Sequence, residues 1–238
     1  MGRFYTIQDV EYPSVTTILS ILDKGENLLS WSAEQACKYI SANLNSGMDL
    51  ETLFENARNN FKAVRDEAGD IGSEVHGLIE KNINGIWVDS KTLRPEVRKA
   101  FFAFLGWRKK YNVKFLHTEM TVHSKKHVYA GTLDAILEFE GRQYVADWKT
   151  SGSVYDTFPL QIASYREAAK EMGFETHGEI IVRLDKTTGQ FETKDFSNSH
   201  EKHFQSFLRL LDFYYAFKAR RLRNNSRAIE GNRISMVA

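Results

Sequence analysis

Two aspartates and a lysine near the middle of the chain have the spacing of a metal-dependent hydrolytic site. Asp147 follows Asp134 by thirteen positions, and Lys149 comes two residues later. If Glu140-Gly141 is the turn of a β-hairpin, Asp134 lies directly opposite Asp147, with Cβ atoms about 4.5–5.5 Å apart on one face. Lys149 shares that face because side chains alternate along a strand.

Facing carboxylates repel each other unless a cation lies between them. Their hard oxygen ligands suit Mg²⁺ or Mn²⁺. Such an ion lowers the pKa of a bound water and neutralises charge that develops on a phosphate, while a lysine about 6–7 Å along the strand reaches oxygens at the metal. The pattern favours phosphate-ester hydrolysis. An Asp-x-Lys pair on a strand is also compatible with a solvated surface.

Three further segments could complete such a site. Gly131 stands three residues before the first aspartate. Gln161 and Tyr165 are four residues apart on the next predicted helix, so their side chains share one face. Upstream, Gly72-Ser-Glu-Val-His76 lies on another predicted helix, with Glu80 one turn later. An isolated helical histidine is otherwise a core or surface residue in most proteins.

Taken in order, these segments resemble the PD-(D/E)XK nuclease superfamily, and specifically its RecB-like exonuclease branch. The resemblance covers roughly residues 71–170. The opening Tyr12-Pro-Ser-Val-Thr-Thr-Ile-Leu19 is also similar to phage-type and mitochondrial genome maintenance exonucleases. The sequence departs from the family pattern at two positions. Leu133 replaces the proline before the first aspartate, and the second acid is Asp147 rather than glutamate.

The resemblance implies a DNA phosphodiesterase that uses Mg²⁺ or Mn²⁺. The implied metal ligands are the side chains of His76, Asp134 and Asp147 and the backbone carbonyl of Trp148. The implied catalytic residues are Asp134, Asp147, Lys149, Gln161 and Tyr165. Lys149 would be the catalytic lysine, and the amide and phenol of Gln161 and Tyr165 would hold it or a substrate phosphate. Exonuclease action is the function expected, with a structure-specific endonuclease or nickase and a catalytically silent DNA-end-binding module as alternatives.

The periodicity of apolar residues predicts the elements that position these groups. Helical spacing covers 14–23, 27–44, 50–64, 69–82 and 95–111. The period then changes to two, which predicts an antiparallel meander of strands 113–122, 127–139 and 142–150. A helix at 159–172, strands at 179–184 and 190–196, and a helix from 198 onward follow. The helix that connects the third and fourth strands could make that pair parallel.

This order predicts an α/β (α+β) fold with a central mixed β-sheet flanked by helices. The resemblance implies that this fold is a restriction-endonuclease-like core with a helical N-terminal portion. We expect one domain over residues 1–238, in which 1–68 are a helical elaboration and 69–238 the nuclease core. The helices of the elaboration could form a wall that admits a strand end and excludes continuous duplex.

Composition excludes several classes of protein. The 238 residues are 42 % apolar, with 32 basic and 31 acidic side chains, which is unlike a bulk nucleic-acid coat protein. The single Cys37 excludes an internal disulfide framework, a four-cysteine zinc site and an iron–sulfur cluster built by this chain alone. No G-x-x-x-x-G-K-[ST] loop is present, so no ATP site is expected.

No apolar stretch approaches the ~20 residues that a membrane crossing requires. Residues 1–12 also lack the layout of a secretion signal. We therefore expect a cytoplasmic protein without a membrane partner. The resemblance to phage-type exonucleases implies a bacterial or phage-infected cell. DNA, as single strands or ends, is the expected partner. The basic C-terminal stretch offers four arginines as phosphate ligands: Arg220, Arg221, Arg223 and Arg227.

Other candidate residues have a weaker pattern. Glu119, on the strand before Asp134, is either an additional acid or a solvated side chain. The spacing of His117, His123 and His127 straddles a turn and lacks a fourth zinc ligand. An α+β interaction domain without a metal is the remaining alternative, and it predicts no effect of divalent ions on the melting temperature.

Overall fold

The computed structural model describes residues 2–22 and 25–217. Its strands are β1 (Phe4–Ile7), β2 (Val10–Pro13), β3 (Lys114–Ser124), β4 (Tyr129–Phe139), β5 (Arg142–Lys149), β6 (Gly178–Leu184) and β7 (Phe191–Asp195). Its α-helices are α1 (Val15–Leu19), α2 (Gly25–Asn43), α3 (Leu50–Ile83), α4 (Pro95–Tyr111), α5 (Thr157–Glu171) and α6 (His200–Phe217). Short 3₁₀ turns lie at Ser90–Thr92 and Ser197–Ser199.

The larger sheet has five strands in the order β3-β4-β5-β6-β7. Strands β5 and β6 run parallel, and every other neighbouring pair is antiparallel. Helix α5 makes the crossover between the parallel strands, as a connection between parallel neighbours requires. The prediction of a mixed sheet flanked by helices is confirmed, and β1 and β2 form a second, two-stranded sheet.

The β4–β5 hairpin turns at Glu140-Gly141, where both residues have positive φ, 49° and 77°. Such values are typical of a tight two-residue hairpin turn, and glycine adopts them without strain. Its pairs run from Phe139 opposite Arg142 to Ala135 opposite Ala146. The predicted register is therefore confirmed, and its next step places Asp134 opposite Asp147.

Helices cover both faces of the sheet. On one face, α4 and the C-terminal part of α3 bury an aromatic cluster in which Trp107 and Trp148 meet edge to face at 5.2 Å. On the other face, α1, α5 and α6 pack over Val145 and Ile181. Because side chains alternate along β5, Trp148 is directed into the aromatic cluster, while Asp147 and Lys149 face α5.

The N-terminal region differs from the prediction in two respects. The helices expected at 50–64 and 69–82 are one helix of 34 residues, α3. Gly69 does not interrupt it, since one glycine only weakens a helix whose C-terminal turns are held by packing. The sheet of β1 and β2 was not predicted, because each strand has only four residues and the turn between them uses Gln8 and Asp9 rather than glycine.

The remaining helices agree with the prediction to within a few residues, although α1 ends at Leu19 rather than 23. Helix α2 packs along the N-terminal half of α3, where Leu53 and Ala57 are buried. Helix α3 continues through residue 68, so the helical elaboration and the rest of the chain share this helix. In the described ranges, none of the helices combines the length and hydropathy of a membrane-spanning segment.

Candidate metal centre and its lysine

Asp134 and Asp147 lie side by side on β4 and β5 and are 9 % and 2 % exposed. The Oδ2 atom of Asp134 accepts a hydrogen bond from the backbone N–H of Trp148 at 2.7 Å. Burial, followed by the nearby charge of Asp147, raises the pKa of Asp134 well above its usual value. The protein alone therefore opposes the doubly charged state of this pair, and a cation between the carboxylates would favour it.

Asp147 has an oxygen that lacks a well-directed hydrogen bond. The ammonium of Lys149 is 2.6 Å from Oδ2 of Asp147, which is close enough for an ion pair. No aligned hydrogen bond reaches that oxygen from the residues that the structure describes. The ion pair is consistent with this finding, because charge attraction depends on distance and a hydrogen bond also depends on angle. A lone pair of Asp147 thus remains available to a cation.

His76 approaches the carboxylates from α3. Its Nδ1 atom is 3.6 Å from Oδ1 of Asp134, and its Nε2 atom is 3.2 Å from the carbonyl oxygen of Trp148. Burial lowers the pKa of His76, which favours the neutral imidazole that binds metals. Gly72 lies one turn earlier against Thr150, where a Cβ would be 3.4 Å from Oγ1. Helix α3 therefore runs close to the end of β5 at this turn.

Glu119 is a fourth side chain near Asp134, Asp147 and His76 that could bind a cation. Thr118 and Met120 pair with Ala135 and Leu133, so Glu119 lies beside Asp134 across β3 and β4. Its φ of 48° departs from extended geometry, a strain that often marks a functional site. Burial raises its pKa.

From the sequence, Glu119 is either an additional acid or a solvated side chain, and the register of β3 decides between them. The predicted strands 113–122 and 127–139 leave 123–126 for the turn, whereas Ser124 pairs with Tyr129 and the turn spans 125–128. The register of β3 depends on that turn length, and an error of one residue moves a side chain to the opposite face. Val128 has a φ of 58° in this turn. A β-branched residue favours extended strands, so the sequence did not predict a turn at this position.

Two residues of α5 hold Lys149. The Nζ atom of Lys149 donates to Oε1 of Gln161 at 3.1 Å, and Nε2 of Gln161 donates to the hydroxyl of Tyr165 at 3.0 Å. Of the two roles expected for Gln161 and Tyr165, the structure places them where they orient the lysine. Burial raises the pKa of Tyr165, so the phenol stays neutral.

The donor set fits a hard divalent cation. Potential ligand atoms of His76, Glu119 and Asp134 all lie within 4.8 Å of one another. Asp147 is near enough that its charge, in addition to burial, raises the pKa of Asp134 and of Glu119, and the Trp148 carbonyl is 3.2 Å from Nε2 of His76. Oxygen ligands with one imidazole are compatible with Mg²⁺ or Mn²⁺.

Two further sets of residues were predicted from the sequence to bind phosphate or were weighed as zinc ligands. Arg220, Arg221, Arg223 and Arg227 fall outside the described residues. The three histidines weighed as zinc ligands do not converge, because each packs its ring against a different aromatic side chain. His117 contacts Phe174, His123 contacts Tyr12 and His127 contacts Phe204, with ring centroids 4.8–5.8 Å apart.

Comparison with known proteins assigns no family. No protein-family model matches the chain, and no curated protein matches it. Among solved structures, the chain is similar to the crystal structure of SSO0001, with 15 % identity over 82 % of this chain and 84 % of that chain. The TM-score is 0.31, and a likeness at this level supports no inference about fold or function.

Proposed function

We propose that this protein is a Mg²⁺- or Mn²⁺-dependent DNA exonuclease. The observation that carries the proposal is the convergence of His76, Glu119 and Asp134, with the charge of Asp147 acting on all three, beside an oriented lysine. Buried carboxylates that repel one another are destabilising without a cation, so a purely structural role for this cluster has no physical advantage. The order of the motifs, which resembles RecB-like exonucleases, supports DNA as the substrate.

A divalent ion held by the carboxylates and His76 would lower the pKa of a bound water and screen the charge of the phosphate. Side chains of the protein position the reacting water and phosphate. Asp134 and Asp147 would hold that ion, which would supply the activated water. The ammonium of Lys149 is aimed by Gln161 and donates to a phosphoryl oxygen as negative charge develops there. As the water oxygen bonds to phosphorus, the bond from phosphorus to the leaving oxygen breaks. The water gives a proton to solvent, and the leaving oxygen takes one from solvent.

The supporting feature for exonuclease action is the helical wall. Helix α3 carries His76 at the site, and its N-terminal half forms a helical pair with α2. A wall at this position would favour a strand end over continuous duplex.

The test is cleavage of end-labelled linear and circular single-stranded DNA in Mg²⁺, Mn²⁺ or EDTA. We expect loss of the linear substrate only, abolished by EDTA and by Lys149→Ala. A matched control is Lys114→Ala, which removes an exposed lysine at the start of β3, remote from the site. Equal cleavage of circles would contradict exonuclease action and favour an endonuclease or nickase. No cleavage, with DNA binding retained, would favour a silent end-binding module.

A further inference from the structure

An exposed aromatic ring is connected to the candidate catalytic lysine through one other ring. Tyr155 is 53 % exposed in the segment between β5 and α5. Its carbonyl accepts a hydrogen bond from the backbone N–H of Phe158 at 3.0 Å, which closes a turn. The two rings meet edge to face, with centroids 5.2 Å apart and planes at 64°. The turn and the ring contact together hold Tyr155 in a defined orientation.

Phe158 connects this ring to the site. The Nζ atom of Lys149 is 4.8 Å from the centroid of the Phe158 ring. Two successive contacts therefore join the lysine to Tyr155, and the outer ring retains an accessible face. A nucleotide whose phosphate contacts Lys149 would carry its base within reach of these rings, since base and phosphate are neighbours within one nucleotide.

We propose that Tyr155, supported by Phe158, is a stacking platform for the nucleobase that flanks the scissile phosphate. This inference rests on the proposed function and deepens it by specifying the substrate. Both faces of a base inside a duplex are covered by neighbouring base pairs, so only an unpaired base or the outer face of a terminal base pair can stack on the ring. The substrate class is thus single-stranded DNA or a duplex end, read without sequence preference because every base has a π face.

The platform can be tested by binding, independently of turnover. Single-stranded oligonucleotides with 2-aminopurine at successive positions report stacking as quenched fluorescence. Titrations use the full chain with Ca²⁺, a hard cation that binds oxygen ligands. We expect quenching at one position near the strand end with the native chain, loss of that quenching in Tyr155→Ala, and its retention in Tyr155→Phe.

Trp87→Ala is the matched control, because this ring is 81 % exposed in the loop that follows α3. It should leave the quenching unchanged. In Mn²⁺, Tyr155→Ala should raise KM for single-stranded DNA about tenfold with little change in kcat. An abasic nucleotide at the flanking position should have the same effect on the native chain and no further effect on Tyr155→Ala.

The outcomes separate the two proposals. Cleavage with quenching that does not depend on Tyr155 overturns the platform and leaves the exonuclease standing. Quenching that depends on Tyr155 without cleavage in any metal overturns the exonuclease and leaves a single-strand-binding platform. If the oligonucleotide neither binds nor is cut, both proposals are wrong.

Discussion

The ring of Tyr165 packs directly against the backbone of Gly131, with no room for a side chain between them. A Cβ at position 131 would overlap Cε1 of Tyr165 and lie 3.1 Å from Cζ. Tyr165 is 4 % exposed and receives the hydrogen bond from Gln161 that aligns Lys149. The glycine that precedes Asp134 by three residues therefore positions the lysine through Tyr165 and Gln161.

Gly131→Ala is expected to displace the Tyr165 ring and with it the amide of Gln161. Overpacking of this kind costs about 1–3 kcal/mol of unfolding free energy. DNA cleavage should fall because Lys149 loses its alignment, whereas the melting-temperature shift induced by Mn²⁺ should remain. The measurements are kcat and chemical denaturation of the same preparation.

Gly69→Ala is the control, since a Cβ there meets no atom within 4 Å. This substitution in α3 should stabilise the protein by up to about 1 kcal/mol and leave cleavage unchanged. Equal activity in the two alanine variants would contradict the positioning role of Gly131.

Asp134→Asn should stabilise the metal-free protein and abolish its response to metal. The amide oxygen can still accept the bond from the Trp148 N–H, while the repulsion from Asp147 disappears. We expect unfolding in EDTA to cost about 1 kcal/mol more than in the native chain. The native chain should gain about 2.7 kcal/mol at a metal concentration 100-fold above Kd, and the variant little.

Thermal melting with and without Mn²⁺ measures both effects. Asp66→Asn changes an exposed aspartate on α3 and is expected to behave as the native chain does. If Mn²⁺ stabilises Asp134→Asn as much as the native chain, the ion binds at a site that does not include Asp134.

Gln161→Leu removes both hydrogen bonds that connect Lys149 to Tyr165 while keeping the volume of the side chain. Removing a group that orients a metal-site residue without touching the metal lowers metal affinity or activity about 10–100-fold. We expect kcat to fall by that range, and the metal-induced rise in melting temperature to persist.

Gln205→Leu is the comparison, because Gln205 donates to Glu201 on the exposed face of α6. Steady-state kinetics at saturating Mn²⁺ distinguish the two variants. An unchanged kcat in Gln161→Leu would mean that the lysine needs no partner on α5.

Stability should fall as the pH rises from neutral to alkaline because of His200. Its Nδ1 and Nε2 atoms lie 2.7 Å from Glu179 and 2.9 Å from Glu167, so both ring nitrogens are donors and the imidazole is charged. Burial opposes protonation, but the bonds to Glu167 and Glu179 outweigh it and raise the pKa to about 9. Arg166, 3.5 Å from the fully buried Glu179, completes the network.

A folded-state pKa above the unfolded value of ~6.5 stabilises the protein fully below pH 6.5, and the contribution is lost as the pH rises through about 9. The loss amounts to about 3 kcal/mol. Urea denaturation between pH 6 and 9.5 should show this slope in the native chain and in His177→Gln, an exposed control. A similar slope in His200→Gln would assign it to other groups.

Much of the arrangement was predictable from local patterns. The change in period from 3.6 to 2 after residue 111 located the start of the sheet, and the turn at Glu140-Gly141 set a register that the structure confirms. Both signals are local, since periodicity depends on which face is buried and a two-residue turn determines the pairs beside it.

Other features depended on distant contacts. That α3 is one continuous helix could not be inferred from the sequence around Gly69, because packing against α4 and the sheet holds the helix. The place of Glu119 depended on a longer turn, and the platform of Tyr155 on the approach of Phe158 to Lys149.

By itself, the sequence predicted the five-stranded sheet and the opposition of Asp134 to Asp147, because alternation and turn length act over a few residues, and it left the parallel crossover as one possibility. Only the tertiary structure brought His76 and Glu119 to those aspartates and Gln161 to Lys149. These residues are far apart along the chain, and their distances follow from how α3 and α5 pack on the sheet. Such packing is decided by the whole core, which no single segment encodes.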